Sequence, residues 1–425
     1  MVTRKNTRRD FLLKVLFSGG GLGLKSLLIG LPPAFLMRRA MGQESRTRLI
    51  YCFQRQGDPI GCNFGPAYDI PACVHPTAFE TPVLTDFGNR SIQCAAPWAS
   101  LSQDFRENSH MIFHHTGAAA HPESNVVLAG FSSLKGRGGI GSEMLPSIHK
   151  EFFGDGLSII HLTNRFSLTE GGSNPIPQIA PNSLKSAFAL SDAKLLSIRD
   201  KTLNELWKEC KASGNMAQIE YCDRMIMTSS QSRELAKGLS SLLENVDTLD
   251  TFTAAVLVIA AGASSVATVH IPFGGDNHDD QGLTREENQL TSGCGQLQAL
   301  WELMKQYNIH TTTTFAMQGV FGRTFGLKNG GKNGRDHHGG ASTTLIRGPK
   351  VKGGISGGLV PINGKKAAEA TGIDSKTGQA NNSGDIPANE TLAAACRTLL
   401  KACGASDSEL EERVRGGKVI ESAIA

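Results

Sequence analysis

The chain lacks several patterns that would settle a function at once. It has nine cysteines in 425 residues but no CxxC pair, which argues against a zinc ribbon. The odd count leaves at least one cysteine without an intrachain partner. No GxxxxGK[ST] loop occurs. The one stretch with GxGxxG spacing, residues 136–141, follows a helical run, whereas a dinucleotide-binding loop follows a strand. Neither loop therefore argues for nucleotide binding. No self-similarity at a period of about 20–50 residues appears, which sets repeat arrays aside. Positive charge is missing where nucleic acid would need it. The formal net charge is +4, but the first 42 residues carry eight Lys/Arg against one Asp, so the other 383 sit at −3. That balance offers no basic field, and nucleic acid is not an expected partner. Long apolar runs near the start are missing too. The stretch up to Leu36 is diluted by Gly19, Gly20, Gly21, Gly23 and Lys25, short of the about 20 mainly apolar residues of a membrane span. No stable transmembrane anchor is expected.

What the first residues do contain is TRRDFLLK (7–14), a modest apolar stretch and RRAMGQ. A basic start, an apolar middle and small residues Ala40 and Gly42 before Gln43 read as an export leader. The run resembles a twin-arginine signal, which implies the twin-arginine export machinery as a partner and a periplasmic or secreted destination. That machinery carries folded cargo and so suits a protein loaded with metal before export. An uncleaved amphipathic anchor is the competing reading. The expected division is 1–42 as export signal and 43–425 as one α/β domain. The loops KNGGKNGRDHHGG and TGQANNSGDIPANE do not read as domain linkers. In an oxidising compartment one or two disulfides are permitted.

RLIYCF (48–53), HMIFHH (110–115), LSIIHL (157–162), VATVHIPF (266–273) and IHTTTTFAM (309–317) are short apolar or β-branched runs that predict strands. A helix is predicted to start at Pro122 and Glu123. Residues 194–264 repeat Leu, Ile and Met at helical spacing, and residues 286–306 and 390–403 predict two more helices. Strands alternating with helices predict an α/β sandwich with a mostly parallel central sheet.

Polar clusters follow the ends of candidate strands: Asp58 after the first, His121 after HMIFHH, Asp276 and His278 after VATVHIPF. Ligands of open α/β sheets bind outside the carboxyl ends of strands, so distant segments can meet in one cleft. In GGDNHDD, alternate side chains of an extended loop point the same way, so Asp276, His278 and Asp280 can face one ion. Carboxylate with imidazole suits zinc, manganese or iron rather than calcium. A calcium loop counted from Asp276 would end on Glu287, but it meets His278 at its third position and Gln281 at its sixth. In RDHHGG, Asp336 and His337 are further candidate ligands. Arg335 neutralising Asp336 is the alternative. His121 stands at a predicted helix start, where an anion such as phosphate or sulfate could rest. Among hydroxyls nearby, Thr116 is a candidate nucleophile and Ser124 reads as a surface residue.

RTRLIYCFQRQGDPIGCNF, FGGDNHDD and the segment 321–358, FGRTFGLKNGGKNGRDHHGGASTTLIRGPKVKGGISGG, together resemble the domain-of-unknown-function 1501 family. Its members are exported proteins similar to the alkaline phosphatase and sulfatase superfamily. The resemblance covers most of residues 48–360. It implies a three-layer α/β sandwich with a two-metal cleft, hydrolysis of phosphate or sulfate esters, zinc or manganese as cofactor, and an anionic small-molecule or polymer ester as substrate. Position by position, Asp58 resembles the first-strand ligand, and Asp276 and His278 fall in the family's Trp-Asp-Thr-His stretch with Gly275 in place of Trp. His337 matches the late histidine ligand with Asp336 beside it. His121 is the catalytic candidate and Arg323 the substrate contact. Two departures stand out: Ala120 replaces the hydroxyl of Ser-Arg-Ser-His, and Val320 replaces the carboxylate of Ser-Glu-Phe-Gly-Arg. Both fall on the half of the site that would carry a nucleophile. A remodelled binding or assembly protein, catalytically inactive, is therefore the rival expectation.

Overall fold

A computed structural model describes residues 46–54, 56–57, 59–123, 127, 145–153, 159–170, 174–188, scattered positions between 201 and 242, 249–328 and 333–425. The expected leader, the expected ligand Asp58, Ser124, the glycine stretch 136–141 and most of residues 194–248 of the stretch expected to be helical (194–264) lie outside them.

The elements that build the central sheet and its flanking layers include, in chain order, β1 (Arg48–Gln54), β2 (Ser109–His114), helix α1 (Leu145–Phe153), β3 (Ile160–His161), α2 (Thr251–Ala260) and β4 (Val266–Val269). Then come α3 (Thr284–Gln306), β5 (Thr313–Gly319), β6 (Gly322–Arg323), β7 (His337–His338), β8 (Ser342–Arg347), β9 (Gly354–Ser356) and α4 (Thr391–Ala402). Among the described residues a seven-stranded sheet runs in the order β9-β2-β8-β5-β1-β4-β3. Four of its pairings are parallel; the two made by β8, with β2 and with β5, are antiparallel. The expected α/β fold with a mostly parallel sheet is present, with one reversed strand inside it. STTLIR (β8) sits in a segment that reads as glycine-rich and polar, and its three threonine and serine side chains hid a strand whose six residues are all buried.

Strand alternation builds the layers. In β1, Ile50 and Cys52 join the core under α2 and α3, while Leu49, Tyr51 and Phe53 join the core under α1 and α4. Period-2 side-chain geometry forces that division. Helix α3 presents Leu290, Cys294, Leu297, Trp301 and Met304 to the first core, spaced by four and three residues. Glu286 and Glu287 in its first turn and Lys305 in its last complement the helix dipole. Helix α2 is buried almost all round and starts where the Asp250 carboxylate accepts the Thr253 N–H at 2.7 Å.

The reversed strand matters for the site. Ser342 pairs with His114 at the end of β2, and Thr344 pairs with Gln318 near the end of β5. The residues just before β8 therefore lie at the edge where the parallel strands β1, β4 and β5 end. That edge collects segments 115–123, 270–280, 320–324 and 333–341.

His110, His114 and His149 are among the histidines locked in the cores. His110 lies between the Lys352 carbonyl (2.8 Å) and the Ser356 hydroxyl (2.7 Å), His114 beside Thr344 Oγ1 (2.9 Å) and His149 beside the Thr47 carbonyl (2.9 Å). Burial pushes their pKa values down from the ordinary 6.5 to about 4, about 3 and about 4. The folded protein holds them neutral while the unfolded chain protonates near 6.5, so their contribution is complete above that pH and is lost as pH falls toward 4. His161, His270, His278 and His337 have lowered values too, so more than three protons are taken up on unfolding and stability should drop by more than about 4 kcal/mol per pH unit near pH 5. Urea denaturation across pH 4.5–7.5 measures this slope, and His110→Gln should reduce it by one proton's worth, about 1.4 kcal/mol per pH unit.

Candidate metal centre

Four side chains from three of these edge segments converge. His121 Nε2 lies 3.3 Å from Asp276 Oδ2, His278 Nε2 lies 3.2 Å from Asp276 Oδ1, and His337 Nε2 lies 3.8 Å from the same Oδ1. The Nε2 atoms of His278 and His337 are 2.8 Å apart. One ligand atom from each of the four lies within 4.8 Å of all the others. Four ligands at the about 2.0–2.2 Å distances of a tetrahedral zinc site stand about 3.4 Å from one another, and the observed separations bracket that value. These residues could hold one metal ion.

Local structure aims each of them. The Glu123 carboxylate accepts the N–H groups of Ala119 (2.6 Å) and Ala120 (3.1 Å), closing a single 3₁₀ turn, His121–Glu123, that swings His121 toward Asp276. Asp276 follows Gly274 and Gly275, both with positive φ. His278 is fixed through its other nitrogen: Nδ1 lies 2.9 Å from the Arg335 carbonyl. A carbonyl only accepts, so Nδ1 carries the proton and Nε2 of the neutral ring turns a lone pair into the cluster. Metal-ligating histidines typically donate their other ring N–H to a carbonyl or carboxylate in this way. Beneath the rings, Phe321 packs edge-on to His337 (4.8 Å) and His121 (5.4 Å).

The triplet Asp336-His337-His338 resolves through strand geometry. In the β6–β7 ribbon, Arg323 pairs with His337 and Gly322 with His338, and partners directly opposite point to the same face. His337 and Arg323 therefore face the cluster while His338 turns away, its Nε2 2.7 Å from the Ala368 carbonyl. Asp336 also turns outward, to Lys328 Nζ at 3.0 Å, and only its Oδ1 approaches His278 Nδ1, at 3.7 Å. Of the expected ligands, the structure brings together Asp276, His278 and His337, adds His121, and leaves Asp336 at the rim. Asp280 stands apart as well. The chain turns after His278, so the extended alternation ends there, and the Asp280 carboxylate caps α3 by accepting the Arg285 and Glu286 N–H groups, both at 2.9 Å.

Arg323 does not reach outward to a substrate. It is 1 % exposed and donates to the carbonyls of Gly57, Gln56 and Gly275 and to Asp276 Oδ1 at 3.2 Å. It orders the loops and holds the carboxylate. Burial alone would raise the Asp276 carboxyl, but Arg323, His278 and His121 outweigh it and keep it below the ordinary range. Burial, then Arg323, lowers His278, and the same two causes push His337 down to about 4. At neutral pH the cluster thus offers one carboxylate and, at His278 and His337, neutral imidazoles, the protonation states that metal binding requires.

A supporting network escaped the sequence reading. Arg335 does not neutralise Asp336; it forms a bidentate pair with Glu286, Nε to Oε2 at 2.7 Å and Nη2 to Oε1 at 2.9 Å, with both side chains fully buried. Asn63 and Asn277 donate to the same carboxylate, at 2.6 and 2.8 Å. Arg335 also donates to the carbonyls of Val74, Thr324 and Phe325. Next to it, Gly334 presses on the 277 backbone so closely that a Cβ would lie 1.8 Å from the Asn277 oxygen. The loop carrying His278 and the loop leading to His337 are held together there.

The two departures have plain structural settings. Val320 is fully buried in the α1/α4 core beside Phe321, and Ala120 is half-buried. Thr116 is buried too, its hydroxyl engaged with the Gly339 carbonyl and the Ala118 N–H.

The chain is thus an α/β protein with a His/Asp cluster at the carboxyl edge of a mostly parallel sheet. Residues 231–373 match the model of the DUF1501 family, described as a protein of unknown function. That stretch includes Asp276, His278, Arg323 and His337 and supports the family resemblance; His121 lies upstream of it. Comparison with the curated proteins finds no match. Among the described residues no helix is long and apolar enough to cross a membrane.

Proposed function

We propose that this chain is an exported, metal-dependent hydrolase of the alkaline-phosphatase-like class that cleaves phosphate or sulfate esters at the cluster of His121, Asp276, His278 and His337. The observation that carries the reading is the convergence of three imidazoles and one carboxylate within 4.8 Å, with His278 held in the metal-binding tautomer by the Arg335 carbonyl. When bound, zinc or manganese supplies Lewis acidity and lowers the pKa of water. Charge favours an anionic substrate. Asp276 offsets only one of a divalent ion's two charges, and Arg323 adds another positive charge 3.2 Å from that carboxylate. A centre left with net positive charge attracts an anion, and a phosphate or sulfate ester brings one. With Asp276, His278 and His337 holding the ion, its fourth position would be left to water, and His121, its side chain about one third exposed, is then the residue best placed to exchange a proton with a leaving group.

The departures shape the mechanism. With Ala120 where a hydroxyl would stand, attack by water on the ester replaces covalent transfer through a serine. The rival reading, an inactive binding or assembly protein on the same scaffold, is favoured by Val320: its full burial leaves the second half-site without a carboxylate. The full chain incubated with zinc or manganese and aryl phosphate and sulfate esters separates the two. Hydrolysis that rises with metal and falls at least about 100-fold in Asp276→Asn is expected of the hydrolase, since a group that holds the catalytic metal is typically worth several kcal/mol. Metal binding without hydrolysis of any ester would favour the binding protein.

A further inference from the structure

Behind the β6–β7 ribbon lies a cavity of about 430 Å³, a size typical of small-molecule sites, which run from about 300 to about 1,000 Å³. Thr324 and His338, the chain neighbours of Arg323 and His337, line it, so the ribbon separates it from the cluster. Its far wall is the hairpin of Leu359–Pro361 and Ala368–Ala370. The turn of that hairpin contributes Lys365 and Lys366, and its second strand contributes Glu369. Backbone bonds hold the hairpin at two points: Ala370 donates to the Gly340 carbonyl at 2.7 Å, and Gly326 donates to the Lys366 carbonyl at 3.0 Å. Glycine permits the close fit. A Cβ at Gly340 would lie 2.8 Å from Glu369 Cγ, and one at Gly326 would lie 2.6 Å from Lys366 Cβ. The Lys366 stem thus lies across Gly326, and its ammonium donates to the Leu327 carbonyl at 3.1 Å, which leaves two of its three N–H groups for another acceptor. Lys365 and Glu369 are exposed, and neither makes an ion pair among the described residues.

We infer that this cavity binds a phosphorylated or sulfated sugar, with the anionic group on Lys365 and Lys366 and the hydroxyls on Glu369. Charge and hydrogen-bonding capacity together select this class. Two lysines against one carboxylate leave these walls with a net positive charge, which favours an anion. A bare anion would meet Glu369 as a like charge. An ionised carboxylate only accepts hydrogen bonds, so the ligand has to turn donors toward it, and sugar hydroxyls are such donors. A zwitterion could set an ammonium against Glu369 but would bring no net negative charge for the lysines. Phosphate and sulfate oxygens on lysine, and hydroxyls on a carboxylate, are charge-assisted hydrogen bonds, the stronger kind. The inference does not depend on hydrolysis at the cluster.

Isothermal titration of the full, metal-free chain with glucose-6-phosphate, inorganic phosphate, glucose and the zwitterion taurine tests it. Glucose-6-phosphate should bind at least about 10-fold tighter than each of the others. Lys365→Ala, Lys366→Ala should weaken it at least about 10-fold, and Glu369→Ala should bring it level with inorganic phosphate. The His278→Ala, His337→Ala variant should bind it as the wild type does, because the ribbon lies between. A disaccharide sulfated on both units, titrated into the zinc-bound chain, identifies the source of the sugar. Tighter binding than that of the monosaccharide makes the bound sugar a neighbouring unit of a ligand at the cluster, and equal binding makes it a separate ligand. Absence of binding, binding of inorganic phosphate or taurine as tight as that of glucose-6-phosphate, or binding lost with the two histidines and kept without the two lysines, overturns the assignment. The wild-type order of ligands decides this even where a variant fails to fold.

Discussion

Replacing His278 and His337 together by alanine should lower the chain's affinity for zinc by well over about 100-fold. Outer-shell partners of metal ligands typically cost about 10–100-fold when removed, and these two side chains stand inside that shell. Their Nε2 atoms are 2.8 Å apart and both face Asp276 Oδ1, so their loss leaves His121 and one carboxylate, too few donors for a stable four-coordinate site. His338→Ala supplies the control. It removes an adjacent histidine of the same chemistry that faces the Ala368 carbonyl on the opposite side of the β6–β7 ribbon, and it should leave zinc affinity unchanged. Isothermal titration of the metal-free protein reads both effects. Equal losses in the two variants would mean that the ribbon, not the cluster, is what the mutations disturb.

The largest expected effect on stability is at the Arg335–Glu286 pair. Both side chains are fully buried, and removing one partner of a buried, hydrogen-bonded pair typically costs about 3–5 kcal/mol because the other charge is left unpaired. Here Arg335→Ala also strands three backbone carbonyls, of Val74, Thr324 and Phe325, which places it at the upper end of that range. Arg335→Lys should not rescue it, because one ammonium cannot reproduce a bidentate fork and three further bonds. Equilibrium urea unfolding of Arg335→Ala and Glu286→Ala measures the cost. The double variant should cost clearly less than the sum of the singles, since no lone charge remains. A loss below about 1 kcal/mol in either single variant would show that the pair is not what holds these loops together.

Much of the sheet was legible because its strands are short apolar runs ending in breakers. β1, β2, β4 and β5 and helices α3 and α4 fall where periodicity puts them. β8 was not, because Ser342, Thr343 and Thr344 supply its first half and a buried threonine looks polar in a sequence. Alternation was a sound guide for Asp276 and His278 and failed at Asp280, where the chain leaves the extended conformation and the carboxylate finds the free N–H groups of α3. Within the triplet, sequence alone could not say which residue faces inward; the pairing of Arg323 with His337 does. His121 read as a catalytic candidate and not as a metal ligand because its distance from Asp276 depends on a turn closed by Glu123, and no local pattern announces that turn. The Glu286–Arg335 pair was hidden for a similar reason. Glu286 looks like an ordinary first-turn helix residue, and its partner lies 49 residues away.

The most direct test of the central claim is elemental mass spectrometry of the folded full chain beside the His278→Ala, His337→Ala variant, both purified without chelator. About one zinc or manganese per wild-type chain, absent from the variant, is the predicted result. A folded wild type that carries no metal and takes up none on titration, or a variant that keeps its ion, would contradict it.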